Sequence, residues 1–237
     1  MEKISHEIFN IEDVKKMLDS LFSDPQFWWN ETYKYNPIKL PFITNMPDEN
    51  LVSYHERNIL KIGKALDIGC GQGRNTLFLS KIGFDVDAID IAIEAIEIAR
   101  ERANKSNLSV RFEVKSIFEF NGNCQIYDFI YDHGCMHHIL PHRREEYIET
   151  IYDLLKPEQL YGLVCFGSDA SEISTGIAIT DWDVYTKKSI IGGICFNEDK
   201  LFQLFSPKFT IIELRKMEKH EKYFGLPQLW TALFRKK

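Results

Sequence analysis

At 237 residues, with 44% hydrophobic and 27% charged side chains, the chain can bury a substantial core as one large domain or two small ones. Its formal net charge of −6 argues against nucleic acid as a partner, because a phosphate backbone calls for clustered lysine and arginine. Five scattered cysteines without a Cys-x-x-Cys pair argue against a disulfide framework or a zinc ribbon, and no apolar stretch reaches the roughly 18 residues of a membrane helix. A soluble, cytoplasmic protein with no membrane partner and no metal is expected.

In chain order, residues 1–60 read as an N-terminal helical cap that covers a substrate site. They are amphipathic and aromatic (Phe22, Phe27, Trp28, Trp29, Tyr33, Tyr35), then irregular through Pro37, Pro41 and Pro47. From Lys64 onward short apolar runs alternate with helical patterns, the signature of βα units and a mostly parallel sheet, so residues 61–237 form the main domain. The first strand is 64–68. After a glycine-rich turn a helix starts near Arg74 and stops at Gly83, a C′ glycine. The second strand is 85–90. Ala92, Ala95, Ile96, Ala99 and Ala103 then make one narrow stripe of small residues that lets a helix lie close to a sheet. Strands follow at 110–114 and 126–131, a helix begins near Pro141, and a fifth strand covers 161–166.

Residues 167–195 have no clear period, hold Gly167, Gly176, Gly192 and Gly193, and read as a long substrate-side insertion. Asn197 suits an N-cap for a helix through Leu201 and Leu204, and strands at 210–214 and 229–234 complete a count of seven.

The chemistry concentrates at Asp67-Ile68-Gly69-Cys70-Gly71-Gln72-Gly73. A strand that ends in such a turn and feeds a helix sets free N–H groups and a positive helix end beside a ligand. The dinucleotide fingerprint is Gly-x-Gly-x-x-Gly, and here Arg74 stands in place of its third glycine, which disfavours a pyrophosphate cradle. Asp67 at the strand end would repel a pyrophosphate and attract an amino acid's ammonium group. Asp90 ends the second strand about 20 residues on, where a carboxylate accepts both hydroxyls of a ribose. S-adenosylmethionine carries both an amino-acid end and a ribose.

The run Ala65-Leu66-Asp67-Ile68-Gly69-Cys70-Gly71-Gln72-Gly73-Arg74-Asn75 resembles the first motif of the class I S-adenosylmethionine-dependent methyltransferases, and the likeness covers roughly residues 64–234. It implies a three-layer, Rossmann-like α/β fold whose seven-stranded sheet has its last strand antiparallel. It also implies S-adenosylmethionine as cofactor and S-adenosylhomocysteine as product. Asp67, Gly69, Gly71 and the Cys70 backbone would face the methionine end, with Gly73, Arg74 and Asn75 completing the turn, while Asp90 and Ile91 would hold the ribose. Ser116 stands where the family usually has an adenine-binding Asp, and its hydroxyl can serve the base beside Ile117. Within the family, Tyr127 to Gly134 followed by Pro141-His142-Arg143-Arg144 looks similar to thiopurine and thiol methyltransferases, with His133 in place of an arginine, and Asp132 joins the cofactor set.

Trp28 and Tyr33 are expected to close over the sulfonium, since cations sit well on aromatic faces, and one of Trp28 and Trp29 should serve the pocket while the other serves the core. His133 and His137 are the candidate bases if the acceptor is an alcohol or amine; a thiolate would need none. Arg143-Arg144 and Arg235-Lys236-Lys237 read as solvated surface. The reading is a methyltransferase acting on a small molecule, a thiol among the options, as a monomer or homodimer. A cofactor-binding sensor or scaffold and a nicotinamide oxidoreductase are the alternatives.

Overall fold

The computed structural model describes residues 7–35, 43–120, 122, 124–168, 180–190 and 192–237. Its centre is strand β1 (Lys64–Ile68), buried at four of five positions because a central parallel strand is covered on both faces. β2 (Asp85–Asp90) and β3 (Arg111–Val114) follow on one side, and β4 (Tyr127–His133) and β5 (Leu155–Phe166) on the other, all parallel. β6 (Phe209–Lys216) and β7 (Leu229–Lys236) finish the sheet, with β7 antiparallel to both β5 and β6. The order β3-β2-β1-β4-β5-β7-β6 reverses direction between β1 and β4, which opens a crevice at their carboxyl ends.

Successive residues of each strand serve opposite faces. Ala65, Val86 and Phe129 pack with helices α3 (Glu49–Glu56) and α4 (Arg74–Lys81) through Leu51, Tyr54 and Leu79. Leu66, Ile130 and Tyr161 pack with α6 (Arg144–Leu154) and α8 (Glu198–Phe205) through Tyr147, Ile151 and Phe205. The alanine stripe does what its spacing predicts: Ala95, Ala99 and Ala103 of α5 (Ile93–Lys105) are buried against Ala92, Ala88 and Phe112.

The N-terminal helices α1 (Ile11–Asp19) and α2 (Pro25–Tyr35) lie over the carboxyl edge of the sheet, and α2 is tied to α5 from outside. The Ile93 N–H at the start of α5 donates to Asn30 Oδ1 at 2.8 Å, so a neighbouring helix satisfies a group that Ala92 cannot cap.

Several boundaries differ from expectation. Residues 49–56, read as irregular, form α3, whose Leu51 and Tyr54 are fully buried in the main core. β4 runs on to His133, since its last residues pair with Leu163 and Val164 of β5. β5 begins at Leu155 and carries an irregularity before Leu160, with Glu158 at φ 62°. Residues 181–187 of the predicted insertion form helix α7 (Asp181–Lys187), nucleated by a capping box between Thr180 and Asp183. Residues 169–179 and 191, Gly176 included, lie outside the described residues. Among those described, no helix is long and apolar enough to cross a membrane.

Of the basic clusters, Arg235 and Lys237 are exposed as expected, but Arg143, Arg144 and Lys236 are not solvated surface. Arg144 is buried and forks onto Asp181 of α7 at 2.6 and 2.8 Å, and Arg143 pairs with Asp19 of α1. Lys236 is buried too, its ammonium donating to the carbonyls of Tyr152 (2.5 Å) and Leu155 (2.8 Å). These three cations anchor elements that the sequence places far away.

Candidate functional site

A cavity of about 1050 Å³ opens at the crevice, floored by the turn after β1 and roofed by α2. Three glycines of the turn have positive φ, Gly69 at 64°, Gly71 at 53° and Gly73 at 79°. At Gly71 a Cβ would sit 2.8 Å from the Tyr33 hydroxyl, so only glycine lets α2 come this close. At Gly73 a Cβ would meet Ala99 at 3.1 Å. That glycine does not border the cavity; it packs the turn against α5, the job of the third glycine in a dinucleotide fold, done one position earlier.

The two carboxylates of the turn region are both buried and held differently. Asp90 accepts from the N–H groups of Gly71 and Ala92, each at 2.8 Å; burial still pushes its pKa up against those bonds. Asp67 accepts from the Thr76 hydroxyl at 2.5 Å, and burial raises its pKa to about 7. A buried carboxyl this poorly compensated favours a cationic partner. Both border the cavity, as do Gly69, Cys70, Arg74, Asn75, Ile91, Ser116 and Ile117. Ser116 also caps a single 3₁₀ turn by accepting from the Phe118 N–H at 3.3 Å.

Behind the wall a buried carboxylate absent from the expected set, Asp48, ties three expected residues together. Asp48 is fully buried ahead of α3 and accepts at Oδ2 from the Tyr131 hydroxyl (2.6 Å) and the Asn75 amide (2.9 Å). The same oxygen lies 2.7 Å from His133 Nδ1, and Oδ1 pairs with Arg74. Burial works to raise the Asp48 pKa, yet Arg74 and His133 together hold it well below the usual carboxylate range. The Arg74 guanidinium stacks over Phe224 at 4.2 Å and leaves its Nη2 without a partner.

The histidines differ. His133 borders the cavity with 14% of its side chain exposed, and burial lowers its pKa against the pull of Asp48. His137 stacks on Phe166 at 3.9 Å, and its Nδ1 accepts the Phe166 N–H at 3.3 Å. With Nδ1 occupied as an acceptor and its pKa driven far down by burial, neutral His137 carries its proton on Nε2 and is suited to donate, not to take, a hydrogen bond. His138 meets the Trp29 ring edge-on at 5.0 Å, and burial pushes its pKa down to about 4.

The structure thus gathers most expected site residues around one cavity, with two exceptions. Gly73 faces α5, as above. Asp132 is fully buried beneath the cavity wall, accepting from the N–H groups of Cys135 (2.7 Å) and Met136 (2.9 Å) and from the Tyr147 hydroxyl, so it holds the turn after β4 and does not border the cavity. Trp28 and Trp29 both border the cavity, Trp28 37% exposed and Trp29 packed beside Tyr33 and the α5 alanines; neither is committed to the main core. Asp48, Gln26 and Phe224 went unread. Gln26 bonds the Ile91 carbonyl at 3.0 Å. Asp48 stands in N-cap position after Pro47, a signal for α3 but not for its partners. No group of three or more His, Cys, Asp or Glu among the described residues is placed to hold a metal.

Comparison with known proteins agrees with this geometry. Residues 65–158 match the methyltransferase domain family. An uncharacterized methyltransferase of Schizosaccharomyces pombe is 32% identical over 40% of this chain and 68% of its own length. A ubiquinone biosynthesis O-methyltransferase of Rickettsia akari is 24% identical over 65% of this chain, and the match spans only 61% of that enzyme. The fold is shared with the Burkholderia thailandensis 1,6-didemethyltoxoflavin-N1-methyltransferase, solved with its substrate and S-adenosylhomocysteine, at a TM-score of 0.66 and 20% identity over 98% of this chain and 93% of that one. The chain belongs to the class I S-adenosylmethionine-dependent methyltransferases.

Proposed function

We propose that the chain transfers the methyl group of S-adenosylmethionine to a small-molecule acceptor inside this cavity. One observation carries the reading: the two buried carboxylates Asp67 and Asp90 flank the glycine turn on a single cavity wide enough for a second molecule. Asp90 keeps a free lone pair on each oxygen for the ribose hydroxyls beyond its two N–H bonds. Asp67 supplies charge for the ammonium group, and the partnerless Arg74 Nη2 suits the carboxylate of the same amino-acid end. Ile91, Ser116 and Ile117 border the adenosine end, and Tyr33, with its hydroxyl against Gly71, closes the roof.

The cofactor brings an electrophilic methyl group on a sulfonium. What the chain must do is hold the acceptor in line with it and exclude water. The roof of α2, with Trp28 and Trp29, supplies the exclusion, and the apolar wall of Phe166, Phe224 and Leu226 supplies an acceptor surface. Within the expected covers, α1, α2 and the segment at Ile190 and Gly192 act as the substrate side, while α3 belongs to the core. Thiols, hydroxyls and amines are the acceptor classes to screen.

Mass spectrometry of the protein incubated with methyl-labelled cofactor and a metabolite extract tests the reading, and a labelled small molecule is the expected product. Tight cofactor binding without transfer to any acceptor would mark a sensor or scaffold instead. Preferential binding of a nicotinamide nucleotide would mark an oxidoreductase.

A further inference from the structure

We propose that His133, oriented by Asp48, is the general base for the acceptor, and that the acceptor is a neutral hydroxyl or amine on an apolar ring. The inference rests on the methyl-transfer reading above and deepens it.

The argument is one of tautomers. Asp48 Oδ2 lies 2.7 Å from His133 Nδ1. An ionised carboxylate only accepts, so Nδ1 must donate and the neutral ring bears its lone pair on Nε2. No described residue bonds that Nε2, and the ring borders the cavity beside Gly134 at the carboxyl end of β4, next to the turn that holds the methionine end. His137, on the same wall, has the opposite tautomer because Phe166 occupies its Nδ1. One wall therefore offers one acceptor nitrogen and one donor. An acceptor that arrives as a thiolate needs no base, whereas a hydroxyl or amine must lose a proton as its lone pair attacks. Phe166, Phe224, Leu226 and Leu229 line the same region and suit a ring.

Written out, the acceptor oxygen or nitrogen bonds the methyl carbon, the carbon–sulfur pair returns to sulfur, and the acceptor's proton passes to His133 Nε2. The resulting imidazolium is paired with Asp48 until the proton leaves to solvent. Asp48 is a positioning residue. The charged and titratable groups around His133 are Asp48 before α3, Arg74 on α4, Tyr131 on β4 and His137 after it; Arg74 and burial oppose the charged ring, and Asp48 favours it.

Proton–nitrogen correlation NMR of the imidazoles in the ligand-free protein, assigned with His133→Gln, gives the first test. The expected result is a proton on Nδ1 of His133 and on Nε2 of His137; a His133 ring protonated on Nε2 overturns the proposal. The second test uses catechol, aniline and thiophenol as probes. Methylation of catechol or aniline, falling at least about 100-fold in kcat/KM in His133→Gln while S-adenosylhomocysteine binds within threefold of wild type, supports it. In Asp48→Asn the acid limb of the rate profile should move to lower pH, because the lost charge no longer favours the imidazolium. Methylation of thiophenol alone, or of none of the three by a protein that binds S-adenosylhomocysteine, overturns the proposal and leaves the cofactor reading standing. Failure to bind S-adenosylhomocysteine would sink that reading instead.

Discussion

The two sides of the cavity are built by different means. The glycine-turn side, read above as the donor side, comes mostly from one stretch, residues 64–105, in which a strand, three glycines at positive φ and a helix stripped to alanine fix each other locally. The rest of the wall is assembled at long range: Asp48, behind it, meets His133 across 85 positions, and Arg143 on the cavity pairs with Asp19 of α1; away from the cavity Arg144 meets Asp181 across 37 in the same way. Local constraint leaves a pattern in the sequence, while long-range assembly leaves only residue types. The same difference sets how each should fail, because the donor side loses a ligand contact where a long-range anchor loses a whole element.

The largest expected effect is therefore on a long-range anchor. Arg144→Ala removes a buried guanidinium that pins α7, and should cost about 3 kcal/mol in chemical denaturation, the low end for breaking a buried pair because Asp181 is 37% exposed and keeps Lys200 at 2.8 Å. S-adenosylhomocysteine affinity should stay within threefold; a large loss of affinity would show that the anchor and the donor side are not separable.

Next is Asp90→Ala, which should weaken S-adenosylhomocysteine by about 1.5–3 kcal/mol by calorimetry, the range for hydrogen bonds to a charged group. An unchanged dissociation constant would remove Asp90 from the site.

Asp67 gives a smaller effect with a definite sign. Its pKa in the free protein is raised to about 7, and a bound ammonium favours the ionised form, so affinity should tighten as pH rises towards 7 and level off above it. Up to about tenfold per pH unit is available below that point. Asp67→Asn should flatten this dependence. It should also raise stability above pH 7, since a carboxyl whose folded pKa exceeds its unfolded value destabilises the fold once pH passes the unfolded pKa. Equal pH slopes in both proteins would contradict the assignment.

The smallest effect tests the outermost cover. Asn10 accepts from the Asp13 N–H at 3.1 Å in a capping box on α1, and Asn10→Ala should cost about 1 kcal/mol of local stability in hydrogen exchange, with amides of α4 and α5 unchanged. Slowed or accelerated exchange in α5 would couple the cover to the donor side.

Legibility follows the same division. The strands around β1 and the stripe Ala95, Ala99, Ala103 could be placed to within a residue or two, because burial on both faces and close helix packing each demand a recognisable residue choice. Asp132 was misread for a physical reason: from the sequence it ends a strand beside the turn, but its carboxylate faces the turn after β4 and Tyr147, and side-chain direction depends on where β4 stops. Helix α7 could have been found from Thr180 and Asp183, a capping box hidden by surrounding aromatics. Asp48 could not, since nothing near it in sequence names Tyr131 or His133 as its partners.

A crystal structure of the protein with S-adenosylhomocysteine tests the account most directly. The account predicts both ribose hydroxyls within hydrogen-bonding distance of the Asp90 carboxylate, the amino group on Asp67, and the sulfur facing the wall that carries His133. A ligand bound in this cavity with its ribose away from Asp90, or with its sulfur turned from His133, would contradict it.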